Sequence, residues 1–126
     1  MSPWRITCVF VVLAATVAAA HASGDARRGA GVFATECSEC HSVREGKDGK
    51  GPTLFAVLGR EAGSRPSYAY SEAMRRQGQT WTTDRLEAYI SNPRKAVPGG
   101  KMDYDGLPDA AQRADLLAYL ATLGSH

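Results

Sequence analysis

Apolar positions change character along this chain. From Ile6 to Ala20 they are almost continuous, with no charge among them and Arg5 just ahead. Further on they thin out into helical spacing. Ala26, Ala30 and Phe33 recur at i, i+4 and i+7, which predicts a helix from about Asp25 to Glu36. Ser23 or Gly24 is placed to cap it, and Asp25 suits its positive end. Gly29 beside that face predicts close approach by another helix, since an interior glycine otherwise costs about 1 kcal/mol against alanine. A second broad stripe, Leu116, Leu117, Tyr119, Leu120 and Leu123, predicts a last helix over roughly Pro108 to Leu123, ended by Gly124. These two helices are natural partners, with Gly29 and Phe33 expected against Leu116 and Tyr119.

Between them the pattern is weaker. Ser71 to Gln77 reads as a short helix stopped by Gly78, and Thr83 to Ser91 as a longer one limited by Pro93. Ser42 to Gly59 and Val97 to Gly106 are rich in glycine and proline and read as loops. Period-two alternation is missing, so no strands are expected. The fold class is therefore all-α, and no internal repeat divides it.

The continuous apolar run is short for a bilayer span, which needs about 20 residues. Ala20-His21-Ala22 follows it as a small-x-small cleavage motif. Residues 1–22 read as a signal peptide, leaving a domain over 23–126, and Cys8 leaves with the peptide. Retention of the run as a membrane tether is the alternative. Without Arg5, 14 basic side chains face 13 acidic ones, too even a balance to attract nucleic acid.

Two cysteines remain after cleavage, in Cys37-Ser38-Glu39-Cys40-His41. A C-x-x-C-H run reads as a site for covalent c-type haem. Thiols three positions apart on one turn can reach the two vinyl groups of one porphyrin edge, and the next residue offers its imidazole to the iron. A thioredoxin-like pair would need a βαβ setting, a zinc site about four ligands, and a plain disulfide leaves His41 unexplained. The candidates for a sixth iron ligand are Met74, Met102 and His126. Met102 is favoured because it lies in a glycine-rich loop and not on an apolar helical face.

Taken in order, further stretches carry a resemblance. They are Gly24-Asp25 with Gly29 and Phe33, Gly51-Pro52-Thr53-Leu54, Leu58-Gly59-Arg60, Tyr68-Ala69-Tyr70-Ser71 and Trp81. Tyr89-Ile90-Ser91-Asn92-Pro93, Val97 to Met102 and Arg113 to Leu120 complete the series. With the attachment motif, they make the chain resemble the class I cytochromes c of the short, soluble, mitochondrial-like bacterial type. The resemblance implies the class I cytochrome c fold, with packed terminal helices and shorter helices and loops around one haem c.

It also implies residue roles. His41 and Met102 would be the axial ligands, and Pro52 would lend its carbonyl to His41. Tyr70 and Trp81 would bind a haem propionate, Arg60 would compensate its charge, and Tyr89 would sit near the Met102 sulfur. The implied function is a monomeric periplasmic one-electron carrier, free of the membrane after cleavage. Its donor would be a quinol-oxidising complex or dehydrogenase, its acceptor an oxidase or photosynthetic centre. The rival is a peroxidase-like or ligand-binding haem protein with an open sixth position. Two departures stand out: Gly100 replaces a hydroxyl residue, and Met74 replaces an asparagine near the propionates. The lysine ring is thin, with Glu36, Asp103 and Asp105 close to the motif and to Met102.

Overall fold

The computed structural model describes Met1 and residues 24–124. The expected signal peptide and cleavage site, Cys8, Ser23 and His126 lie outside the described residues. Among the described residues five helices follow in order: α1 (Ala26–Glu36), α2 (Glu72–Arg75), α3 (Thr83–Ser91), α4 (Pro93–Ala96) and α5 (Ala110–Leu120). Among the described residues no strand forms, and the one extended pairing is a single bridge between Glu61 and Thr80.

The helix bounds follow from side chains that capture free N–H groups at the first turn. Asp25 accepts from the Arg28 amide and caps α1, the role expected of Ser23 or Gly24. Asp109 accepts from the Gln112 amide, so α5 begins at Ala110 and Pro108 stays outside it. Its far end closes early: Thr122 and Leu123 donate three residues back, to Tyr119 and Leu120, in a tightened turn. Ser71 caps α2, which stops at Arg75 and does not reach Gln77. The sequence pattern missed α4, a single turn capped by Asn92 with Pro93 at its first position.

Helices α1 and α5 cross with no room to spare. A Cβ on Gly29 would lie 1.9 Å from the Asp115 carbonyl oxygen and 2.8 Å from the Tyr119 Cβ. Glycine is thus required there for backbone contact, against Asp115 and Tyr119 more than against Leu116. Phe33 and Tyr119 pack with their rings tilted by 52° and ring centroids 5.8 Å apart. Buried Asp115 adds a polar clamp, accepting from the Asp25 amide at 2.7 Å and from Arg28 Nε at 2.9 Å. Phe33, Leu116, Leu117 and Leu120 then join Trp81, Leu86, Tyr89, Ile90, Val97 and Leu107 in one core. Cys37, Leu54, Leu58, Met74 and Met102 pack on its edge, half-buried. The helix pair is a platform, and the two long loops project their functional side chains from it.

Candidate functional site

Helix α1 hands the chain to the attachment motif. The Cys37 amide still bonds to Phe33 at 2.9 Å, and the Cys40 and His41 amides both return to the Cys37 carbonyl. One turn therefore carries both thiols and the imidazole. Both cysteines are free, with Cys37 half-buried and Cys40 exposed. Burial pushes the Cys37 thiol up to about 11, helped by Glu36 and Cys40. A dithiol redox centre needs a lowered thiol pKa, so this environment argues against thioredoxin-like exchange.

His41 is held by the loop that follows. Its Nδ1 lies 2.7 Å from the Pro52 carbonyl oxygen. As the donor in that contact, Nδ1 carries the ring proton, and Nε2 keeps its lone pair for a metal. Burial lowers the His41 pKa, with Arg60 acting the same way and Pro52 opposing, which favours the neutral ligand form. Gly51 seats the ring: a Cβ there would be 2.4 Å from the imidazole Cε1. The loop returns because the Gly51 amide bonds to the Cys40 carbonyl at 2.8 Å and the Leu54 amide to Ser42 at 2.8 Å.

Arg60 is buried and donates to the carbonyls of Thr53 at 2.9 Å and Phe55 at 3.2 Å. Burial lowers its pKa, and nearby Tyr70 partly offsets this. Tyr70 is half-buried, with its ring 4.8 Å from that of Tyr68. Trp81 is buried and joined to Arg60 through the backbone, its amide bonding to the Arg60 carbonyl at 2.9 Å. Arg60, Tyr70 and Trp81 thus form one neighbourhood. Tyr89 is buried against Trp81, with ring centroids 5.2 Å apart, and burial pushes its phenol up to about 12.

Met102 and Tyr89 line a common cavity of about 40 Å³ with Val97, Gly99 and Gly100. A larger cavity of about 230 Å³ lies beside Trp81, Arg85 and Tyr89, and none of the attachment residues or Met102 lines it. Met74, like Met102, is half-buried against the core. Among the described residues, no three His, Cys, Asp or Glu side chains gather as a metal site. The donors on offer are soft or neutral: two thiols, an oriented imidazole and a thioether. With a buried guanidinium close by, that set fits an iron porphyrin bearing carboxylates. The sequence did not single out Asp48 and gave Thr53 no role beyond its place in the matching stretch, yet both fix the Pro52 peptide. Thr53 is fully buried, and its hydroxyl donates to the Arg44 carbonyl at 2.7 Å.

Such a site defines a small helical protein that fastens haem to its chain. The cytochrome c family model matches residues 26–124. Over 100 residues the chain is 48% identical to the cytochrome c2 of Rhodopila globiformis, covering 79% of this chain and 94% of that protein. It is 43% identical over 100 residues to the cytochrome c of Gibberella zeae, again covering 79% and 94%. Its fold matches cytochrome cH from Methylobacterium extorquens with a TM-score of 0.74 at 41% identity, covering 79% of this chain and 99% of that one. The chain belongs to the cytochrome c family. It is an electron carrier and not an enzyme, and its cofactor is one covalently bound c-type haem.

Proposed function

We propose that the protein is an exported, soluble, monomeric carrier whose haem iron is ligated by His41 and Met102. The contact from His41 Nδ1 to the Pro52 carbonyl carries this reading, because it leaves Nε2 of the motif histidine free to bind iron. Cys37 and Cys40 supply the thioether links. Tyr70, Trp81 and Arg60 act together at a propionate, with Arg60 compensating its charge from between two carbonyls. Tyr89 stands by the Met102 sulfur, as their shared cavity supports.

The bound haem supplies the redox chemistry, one electron at a time, between ferrous and ferric iron. The chain's residues keep rearrangement small. Imidazole and thioether serve both oxidation states, and the thioether with a low-dielectric pocket favours the ferrous one. Near Met102, Arg94 is paired with Asp103 and Asp105, so that surface offers little net positive charge. This supports weak, transient docking to a donor such as a quinol-oxidising complex or dehydrogenase, and to an acceptor such as an oxidase or photosynthetic centre.

Arg5, the apolar run and Ala20-His21-Ala22 support export to the periplasm with cleavage after Ala22. No helix among the described residues is long and apolar enough to cross a membrane. A mature mass starting at Ser23 is expected, and one starting at Met1 would point to a tether. For the site, the test is a visible spectrum before and after acidic acetone extraction. Reduced c-type bands that survive, with a far-red ferric methionine band, are expected. Extractable colour excludes covalent attachment. Retained haem without the far-red band, with rapid carbon monoxide binding, would instead mean an open sixth position.

A further inference from the structure

The peptide group between Pro52 and Thr53 is used at both ends. Its carbonyl takes the His41 ring contact at 2.7 Å, and its N–H donates to Asp48 Oδ1 at 2.9 Å. The carboxylate is itself held, Oδ1 accepting from Arg65 Nε at 3.1 Å and Oδ2 from the Ser67 hydroxyl at 2.7 Å. Only 15% of the Asp48 side chain and 19% of Arg65 are exposed. Thr53 cannot drift, because it is fully buried and its hydroxyl accepts from the Phe55 amide while donating to Arg44. Imidazole, peptide and carboxylate thus form one continuous hydrogen-bonded line.

We propose that Asp48 is a positioning residue that tunes the His41 imidazole electronically through the Pro52–Thr53 peptide. This rests on the reading of His41 as an iron ligand. An N–H donating to a carboxylate is polarised, and amide resonance moves electron density onto the carbonyl oxygen at the other end. That oxygen then draws harder on the Nδ1 proton. The imidazole becomes a stronger donor to iron, which favours the ferric state and lowers the reduction potential. Arg65 and Ser67 set the strength of the effect by sharing the carboxylate's charge.

Asp48→Asn keeps the size and the Oδ1 acceptor while removing the charge. Glu45→Gln neutralises an exposed carboxylate of the same loop that is outside the line. In ferrous holoprotein labelled with nitrogen-15 histidine, Asp48→Asn is expected to move the His41 Nδ1 proton resonance upfield. It is also expected to raise the midpoint potential by more than Glu45→Gln does. An unmoved Nδ1 resonance overturns the inference whatever the potential does, because a charge acting through space leaves that hydrogen bond alone. If Asp48→Asn does not fold, Ser67→Ala decides: freeing the carboxylate must move the resonance downfield, and no movement overturns the inference. A wild-type ring without the ring-current shift of an iron ligand would instead defeat the ligation reading itself.

Discussion

The two loops that present His41 and Met102 are built differently. The histidine loop is tied inside the protein. Pro52 and Thr53 are joined by part-buried contacts to His41, Asp48, Ser42 and Arg44, and buried Arg60 donates to the Thr53 carbonyl. The methionine loop is anchored at its ends, where Val97 and Leu107 are buried and the Leu107 amide bonds to Ile90 at 2.9 Å. Between those ends its ties lie mostly at the surface. Arg94 pairs with Asp103 and Asp105, Lys101 donates to the Ala69 carbonyl, and the Lys101 ammonium rests 4.5 Å from the Tyr68 ring centre. Exposed pairs are worth little, and buried polar groups are costly to leave unpaired. The histidine side therefore sets the geometry of the site, and the methionine side is the one free to yield.

Glycine substitutions give the largest test of that contrast. Gly51→Ala would drive a methyl into the His41 ring, 2.4 Å from Cε1, and is expected to cost about 1–3 kcal/mol and much of the holoprotein yield. A Cβ on Gly100 comes no nearer than 3.1 Å to the Val97 carbonyl oxygen, with Val97 side-chain atoms at 3.5 and 3.8 Å, and Gly100→Ala should stay within about 0.5 kcal/mol. Denaturant unfolding of both, with haem content, compares the loops directly. Thr53→Val should follow at about 1–3 kcal/mol, since the Phe55 amide and the Arg44 carbonyl lose their buried partner.

Acid provides a smaller handle. Burial pushes the Asp48 carboxyl up, but hydrogen bonds from Thr53, Ser67 and Arg65, and the Arg65 charge, outweigh it and leave the pKa lowered. A depressed carboxylate stabilises the fold above its unfolded value, about 4, and that stability is lost as pH falls through its folded value. The stability gap between wild type and Asp48→Asn should be full at neutral pH and close in acid. A gap that stays constant with pH would remove charge as its cause. At the surface of the methionine loop, Arg94→Gln should change stability by at most about 0.5 kcal/mol, with the difference fading in high salt.

Much of this was legible because the signals are local or periodic. Phe33 and the leucines of α5 mark their faces by spacing, and Cys37, Cys40 and His41 carry their chemistry in adjacent positions. The predicted bounds of α3 match the structure because Pro93 ends the pattern. Caps were harder to read. Asp25 and Asp109 each sit beside other residues able to start the helix, and only the captured amide identifies the N-cap. The resemblance named Pro52 and Arg60, but Asp48 carries no such mark. Its role depends on a loop folding back until the carboxylate meets the Thr53 amide, and nothing periodic encodes that.

The most direct measurement follows ferric holoprotein through a denaturant titration, reading the far-red methionine band and the helical circular dichroism together. The band should be present in the native protein and lost first, while the helices and the covalent haem remain. Coincident loss of both signals would contradict the unequal loops, and absence of the band from the native protein would contradict Met102 as ligand.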